Sequence, residues 1–347
     1  MNATYRDAVK LSMRRAYSSD PLICLIGQGV NDATGIFGTT TNLSSLDESN
    51  RSLDMPIMEE GAMGVALGVS LSGMYPIVTH IRADFMLVAM NQIINSISKY
   101  RYMYGGMFSC PMLIRAIVGR SWGQGPQHSQ SLQAVFSHFP GLTVFMPSSA
   151  QNAFDLYATA TRERLGPIIS FEHRLLYDRE FEFNPEIINS HHETSFVCRR
   201  GQDLTILATS YMVQEACFVA RVLSERYGIS VEIIDLHCIS HSGWDVLTDS
   251  VARTGRLLIA DTSWAPFGVS AEVSRVLLER MDGSNRVTVR FCCPEFSPCP
   301  TAHSLENHYY PTVTTMLEKI GELLKLEFDT SETTEFESER KKFRGPF

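Results

Sequence analysis

Apolar and polar residues along this chain alternate between two periods, which predicts an α/β architecture. Short runs of consecutive apolar residues, such as the run at 21–27, predict buried strands. Segments with apolar residues every three to four positions, such as 5–17, predict amphipathic helices between those strands. Because parallel sheets are covered by helices on both faces, this order predicts parallel sheets. Further helices are predicted near 59–73, 84–104 and 148–164, and further strands near 76–81, 111–118, 142–146 and 167–172.

The alternation is interrupted once and then restarts, which predicts two domains. Residues 174–200 lose the regular pattern and carry charged residues, an Asn184-Pro185 pair and paired histidines. After them come strand-like runs at 203–209, 231–236 and 256–260, with helical patterns between and after them. The predicted organisation is a first α/β domain at 1–185, a linker at 186–200, a smaller α/β domain at 201–326 and a polar, disordered tail at 327–347.

Composition and charge narrow the functional classes. The chain has 347 residues, of which 44% are hydrophobic, so it can bury the cores of two domains. A net charge of −8 disfavours nucleic-acid binding, which normally needs a basic face. No apolar run approaches the roughly 20 residues that span a bilayer, and the N-terminus has no apolar signal core. We therefore expect a cytoplasmic protein that does not bind membranes.

Two adjacent carboxylates, Glu59 and Glu60, stand at the predicted start of a glycine-rich apolar helix. Helix starts favour negative charge, because their first N–H groups are unpaired and the peptide dipoles point positive there. The rest of this helix is almost entirely small and apolar, so we expect it to be buried. Glu59 would then be enclosed and would need a specific partner. An ordinary helix cap or surface acid is the alternative interpretation of such a pair.

Two further segments carry candidate functional residues. Asp84 is predicted to cap the helix at 84–104, which places Phe85 in its first turn, facing a pocket. Packing in the core is the alternative for Phe85. The glycine-rich loop at 119–131 follows a predicted strand and contains His128, a residue type that often serves as a general acid or base. Because α/β proteins place ligands at the carboxyl ends of parallel strands, we predict that His128 is functional.

Several segments, in the same order, resemble the beta subunits of thiamine-diphosphate-dependent 2-oxoacid dehydrogenases of the pyruvate, branched-chain and acetoin types. The resemblance covers about residues 3 to 325. It implies a parallel-sheet pyrimidine-binding domain followed by a smaller transketolase C-terminal-like domain. The segments that carry it are Pro56-Ile-Met-Glu59, Asp84-Phe85, Asn91-Gln-Ile-Ile-Asn95, Lys99-Tyr-Arg-Tyr-Met103, Gln127-His-Ser-Gln130, Phe139-Pro-Gly-Leu142, Glu172-His-Arg-Leu-Leu-Tyr177 and Pro298-Cys-Pro-Thr301.

The resemblance implies roles for individual residues. Glu59 matches the acid that hydrogen-bonds the aminopyrimidine ring of the cofactor. Phe85 matches the aromatic residue that stacks on that ring, and His128 matches the histidine that handles the bound 2-oxoacid. Ile57 falls where the family lines the pyrimidine pocket, and Gln28 stands near the cofactor where the family commonly has Glu. A segment that often holds potassium through backbone carbonyls matches the loop near Ala160, Thr161 and Glu163.

The resemblance also implies a partner chain. In the family a Gly-Asp-Gly motif helps to hold the cofactor's diphosphate and its magnesium ion, and this sequence has no Gly-Asp-Gly. An alpha chain is therefore expected to hold most of the diphosphate and magnesium, in an assembly of two alpha and two beta chains. The implied reaction is decarboxylation of a pyruvate-like 2-oxoacid. The product unit then passes to a lipoyl group on an acyltransferase or to another carbonyl acceptor.

Departures from the family pattern leave the acceptor open. Asn91 replaces a common Asp, Arg120-Ser-Trp122 interrupts the small residues before His128, and Asp261-Thr-Ser-Trp264 replaces the usual His-Glu-Ala-Trp. Two alternative functions stay open as well. One is the C-terminal half of a split transketolase, which would move ketol units between sugars. The other is a non-catalytic partner that stabilises an alpha chain.

Overall fold

The chain divides into two compact units. The computed structural model describes residues 1–46, 51–119, 123–189, 194–240, 243–281, 286–331 and 333. The first unit comprises Met1–Val118 and Val135–His192, and the second comprises Gly119–Ala134 and Glu193–Phe347. Residues 119–134, which the sequence places in the first predicted domain, thus belong to the second unit. The sequence departure at 120–122 and most of the predicted tail lie outside the described residues.

The first unit contains the parallel sheet that the apolar runs predict. Its described strands are β1 (Asn2–Thr4), β2 (Ile23–Gly27), β3 (Ser52–Asp54), β4 (Tyr75–His80), β5 (Leu113–Val118), β6 (Thr143–Phe145), β7 (Ile168–His173) and β8 (Glu180–Glu182). Within the described part of the chain, six of these strands form one parallel sheet in the order β3-β2-β4-β5-β7-β6. Strands β1 and β8, which the pattern did not predict, pair antiparallel.

The described helices in the first half of the chain include three that the 3.6-residue period predicts, near 5–17, 59–73 and 148–164, and one at 133–137 that it does not predict. They are α1 (Tyr5–Ser19), α2 (Glu59–Leu71), α3 (Tyr100–Met103), α4 (Gln133–Ser137) and α5 (Ala150–Arg162), with short 3₁₀ turns at Ile36–Gly38, Ser44–Leu46 and Arg174–Leu176. Helix α1 shows why the prediction holds. The Thr4 hydroxyl accepts the Asp7 N–H (3.1 Å) as an N-cap, and the buried face carrying Tyr5, Val9 and Met13 packs α1 against α5.

The prediction of a single α-helix at 84–104 is wrong, because the structure has three short helical segments of different types there. The chain forms a 3₁₀ helix at Ala83–Ala89, a π-helical segment at Asn91–Ile97 and then the short α3. Its buried residues explain the first part, because Ala83, Met86 and Ala89 recur at the three-residue spacing of a 3₁₀ helix. The capping role predicted for Asp84 is also wrong, since Arg82 holds the N-cap position and Asp84 lies buried inside the first turn.

The second unit is built on a smaller mixed sheet. Its strands are β9 (Phe196–Arg199), β10 (Leu204–Ala208), β11 (Val231–Asp235), β12 (Arg256–Ala260) and β13 (Thr288–Cys292), and its helices are α6 (Tyr211–Tyr227), α7 (Trp244–Thr254), α8 (Val269–Arg280), α9 (His303–Tyr309) and α10 (Val313–Leu324). The described strands follow the order β13-β12-β10-β11-β9, and β9 runs antiparallel along β11. Strand β9 lies within the predicted linker.

The core of the second unit lies between α6, α10 and the central strands. Apolar side chains of both helices close over β10, β11 and β12. Within the predicted tail, Phe328 packs edge-on against Tyr227, with ring centroids 4.8 Å apart, so the described start of that segment packs against α6. No helix in the described part of the chain is both long and apolar enough to cross a membrane.

Candidate functional site

The ends of β2 and β3 bring two predicted site residues to one edge of the first sheet. Gly27 and Asp54 are in register as the last residues of these strands, and the Asp54 carboxylate accepts the Gly29 N–H (2.9 Å). Gln28 follows β2 directly and is half-buried. Ile57 comes shortly after β3 and is 84% exposed. The carboxyl edge of this sheet is where α/β proteins place ligands.

Glu59 is the first residue of α2, as the sequence predicts. Met58 at the N-cap position makes no side-chain hydrogen bond to the helix, so the first-turn acids provide the negative charge that a helix start favours. Glu60 is exposed and accepts a hydrogen bond from the Asn91 side-chain amide (3.0 Å). Glu59 is half-buried.

The expectation that α2 is buried is wrong for this chain by itself. One face, carrying Ala62, Met63 and Ala66, packs against the unit, whereas Val65 and Leu71 are 41% and 40% exposed. The helix is apolar on both faces, and the described residues cover only one of them. An apolar helix face of this kind is typical of a protein interface.

Phe85 lies on the 3₁₀ segment that packs against α2, and its side chain is 38% exposed. The core alternative is therefore wrong for Phe85. Three candidate groups thus belong to neighbouring elements of the first unit. They are the exposed apolar side chains of Ile57 and Phe85 and the half-buried carboxyl group of Glu59. An aromatic nitrogen heterocycle needs apolar groups that stack on its face and a carboxyl group that pairs with a ring nitrogen. The residues present therefore fit the pyrimidine ring of thiamine diphosphate.

The predicted potassium segment lies at the end of α5. The Ala160 carbonyl accepts the Leu165 N–H (2.9 Å), and the Thr161 hydroxyl donates to the Tyr157 carbonyl (2.7 Å). Glu163 caps the helix. Its carboxylate pairs with Arg162 at the surface. Among the described residues, no group of three or more His, Cys, Asp or Glu is placed to hold a metal ion.

His128 lies in the second unit, half-buried in the loop that follows β5. The loop turns at Gly125, whose carbonyl accepts the His128 N–H (3.4 Å). Gly125 has a positive φ of 69°, and a Cβ there would lie 2.3 Å from the Thr301 hydroxyl. Only glycine fits this position without displacing Thr301, so the turn seats the histidine loop against the Pro298–Thr301 segment.

A buried carboxylate, Asp261, holds the other end of the histidine loop. Asp261 Oδ1 accepts hydrogen bonds from the Thr209 hydroxyl (2.6 Å), the Gln133 amide (2.8 Å) and the Thr262 N–H (2.8 Å), and Ser263 donates to Oδ2. Burial raises the pKa of Asp261, and these four donors oppose that rise. In the sequence, Asp261 stands out only as a departure from a family motif. A carboxylate directly after an apolar strand was the available signal.

A second buried network lies within the first sheet and was missed by sequence analysis. Arg115 and Glu172 are completely buried, and Arg115 Nε and Nη2 contact the two Glu172 oxygens at 2.5 and 3.0 Å. The hydroxyl groups of Tyr157 and Tyr177 donate to the same carboxylate at 2.7 and 2.5 Å. Burial lowers the pKa of Arg115, but the neighbouring Glu172 carboxylate outweighs it, so the pKa is raised overall. The signal was charge within apolar strand runs.

Comparisons with known proteins place both units in known domain families. Residues 1–179 match the model for the transketolase pyrimidine binding domain, and residues 194–316 match the model for the transketolase C-terminal domain. The fold resembles the solved structure described as a split gene transketolase, inactive beta4 tetramer. The TM-score is 0.76 at 23% identity, covering 94% of this chain and 99% of that one.

Curated relatives match across most of the chain. The beta subunit of acetoin:2,6-dichlorophenolindophenol oxidoreductase from Cupriavidus necator is 32% identical, over 88% of this chain and 94% of the relative. The mitochondrial beta subunit of the pyruvate dehydrogenase E1 component from Saccharomyces cerevisiae is 30% identical, over 93% of this chain and 89% of the relative. The predicted parallel-sheet pyrimidine-binding domain and transketolase-like second domain are confirmed by these matches and by the sheets.

Proposed function

This chain belongs to the family of beta subunits of thiamine-diphosphate-dependent 2-oxoacid dehydrogenases, and from that premise we propose that it supplies the pyrimidine-binding part of an active site that an alpha chain completes. The observation that carries the proposal is the placement of Glu59 at the start of α2, beside the segment that exposes Phe85. The proposed reaction is decarboxylation of a pyruvate-like 2-oxoacid, with transfer of the product unit to a lipoyl group or another carbonyl acceptor.

The residues of this chain have separate tasks in the proposed reaction. When bound, thiamine diphosphate would supply the nucleophilic carbon and electron sink that decarboxylation of a 2-oxoacid needs. Glu59 would hold a proton for the pyrimidine ring, and Phe85 and Ile57 would orient that ring by apolar contact. Gln28 would add a neutral hydrogen-bonding group near the cofactor, in place of an acid. His128 would hold or move a proton at the substrate oxygen.

The partner proposed for this chain is an alpha subunit in an assembly of two alpha and two beta chains. Support comes from the exposed apolar face of α2, with Val65 and Leu71, next to exposed Ile57 and Phe85. Covering this surface would enclose Glu59 as well, and an enclosed carboxyl group needs a specific partner such as a ring nitrogen. We propose that the alpha chain also holds most of the diphosphate and its magnesium ion, because this sequence has no Gly-Asp-Gly motif.

A substrate survey of the reconstituted complex tests the proposal. The chain would be co-expressed with its alpha chain and supplied with thiamine diphosphate and magnesium. Decarboxylation of pyruvate, 2-oxobutanoate and 3-methyl-2-oxobutanoate would be followed with 2,6-dichlorophenolindophenol as electron acceptor. We expect turnover of at least one 2-oxoacid and none by either chain alone, because each chain holds only part of the active site.

The same survey separates the alternatives. Ketol transfer from xylulose 5-phosphate to ribose 5-phosphate, without turnover of any 2-oxoacid, would replace the proposal with a split transketolase. Full activity of the alpha chain without this chain would make this chain a stabilising partner. An acyltransferase with a lipoyl domain, added to the active complex, tests whether the lipoyl group is the acceptor.

Potassium binding at the end of α5 stays part of the proposal. Carbonyl oxygens such as that of Ala160 have a second lone pair that a cation can use. An ion that binds only the folded chain stabilises it by mass action. We therefore expect the complex to unfold at a temperature roughly 2 °C or more higher in KCl than in NaCl of equal concentration. Equal midpoints in the two salts would remove potassium from the proposal.

A further inference from the structure

The loop that carries His128 is attached to the second unit on both sides of the histidine. On the N-terminal side, Gly125 turns against Thr301 with no room for a Cβ. On the C-terminal side, the completely buried Gln133 side chain bonds to Asp261. The described part of the loop forms no helix or strand between these two attachments, and they limit where His128 can go.

The attachment at Gln133 is a connected set of hydrogen bonds. Gln133 Nε2 donates to Asp261 Oδ1 (2.8 Å) and to the Thr262 hydroxyl (3.3 Å), while Gln133 Oε1 accepts from the Ser131 hydroxyl (2.7 Å). The Ser131 and Thr262 hydroxyls are also 2.8 Å apart. The Ser131 side chain of the loop and the Gln133 side chain at the start of α4 are thus tied to two consecutive residues after β12.

The donors in this set of hydrogen bonds determine which group must be the acceptor. The Gln133 amide and the Thr262 N–H can only donate, and both point at Asp261 Oδ1. An ionised carboxylate satisfies both, and hydrogen bonds to a charged acceptor are about twice as strong as neutral ones. Thr209, at the end of β10, donates to the same oxygen and so ties it to the sheet. The loop is therefore anchored to the rigid edge of the second sheet.

We infer that Asp261, acting through Gln133, is a positioning residue that holds the His128 loop in its working conformation. The inference rests on the proposed function, because it assumes that His128 acts on the substrate. Groups that do chemistry need support that keeps them within about 0.5 Å of the productive geometry, and a long loop does not supply this by itself. In this chain the supporting residue, Asp261, lies 133 positions after His128 in the sequence, directly after the carboxyl end of β12.

The substitution Gln133→Glu tests the inference in the reconstituted complex, with pyruvate or the best 2-oxoacid of the survey as substrate. It keeps the size of the side chain but sets a carboxylate against Asp261, so the loop should detach. We expect kcat to fall at least about tenfold. The matched control is Gln202→Glu, the same change at an exposed position of the second unit, which should leave kcat unchanged.

A combination with His128→Ala distinguishes positioning from general damage. In the His128→Ala background, Gln133→Glu should lower kcat by less than about twofold more, because the group that it misplaces is already gone. Ser131→Ala, a small change, should give a weaker loss if Gln133→Glu folds poorly.

The outcomes separate the inference from the proposed function. His128→Ala with normal kcat would remove the proposed role of His128, and the inference with it. A large loss in His128→Ala, together with normal kcat in Gln133→Glu and Ser131→Ala, would overturn the inference alone. Losses that multiply fully in the double variant would also overturn it.

Discussion

Glu59→Gln should lower kcat for 2-oxoacid decarboxylation by about two to four orders of magnitude in the reconstituted complex. Glutamine keeps the shape of the side chain at the start of α2 but cannot hold or release a proton at the ring nitrogen. The proposed cofactor would still bind through its diphosphate and through Phe85, so KM for the substrate should change little. The measurement is steady-state turnover with saturating thiamine diphosphate and magnesium.

The neighbouring carboxylate provides a matched control for this prediction. Glu60 is in the same helical turn, but it is exposed and hydrogen-bonded to Asn91. Glu60→Gln should therefore keep kcat within about fivefold of the unsubstituted complex, since a surface charge of this kind contributes little. Near-normal turnover in Glu59→Gln, or an equal loss in both variants, would show that Glu59 is not the acid that serves the cofactor.

Arg115→Met should cost the first unit about 3–5 kcal/mol, because it leaves the Glu172 carboxylate buried without its cation. Both side chains have no solvent exposure, so water cannot compensate for the lost partner. Opening of β5 and β7 should become a hundredfold or more easier. Hydrogen–deuterium exchange of peptides from these two strands, measured in the complex, would show this as faster exchange, with the β10–β12 peptides of the second unit unchanged.

A compensating substitution tests the physical reason. Adding Glu172→Gln to Arg115→Met removes the unpaired charge and still leaves an oxygen that Tyr157 or Tyr177 can donate to. Most of the lost protection should return, since replacing both partners of a buried pair costs far less than removing one. Unchanged exchange in Arg115→Met, or no recovery in the double variant, would mean that the network contributes little to stability.

The described helices and strands were largely predictable, because their buried faces leave a period in the sequence. Helix α1 and strand β4 appear within a few residues of their predicted bounds. Predictions from local sequence patterns failed where the backbone forms neither an α-helix nor a strand, as in the 3₁₀ and π-helical turns between Ala83 and Ile97. They also failed for β9, a half-exposed edge strand that lacks a continuous apolar run.

The individual chemistry of the candidate site was visible in the sequence. Glu59, Phe85 and His128 could be named from motifs and from their places after strands and at a helix start. Their environments were not visible. The apolar composition of α2 suggested burial, yet composition does not tell whether a face is covered by the same chain or left for a partner, and here Val65 and Leu71 remain exposed.

Sequence by itself therefore determined the two α/β units, the order of most elements and the residue types at the site, because backbone period and side-chain chemistry are local properties. Only the tertiary structure decided that the His128 loop belongs to the second unit, that Gln133 meets Asp261, and that Arg115 meets Glu172. These pairings join residues far apart in the chain. Long-range partners of buried polar groups are selected by the packing of whole sheets, which no local period encodes.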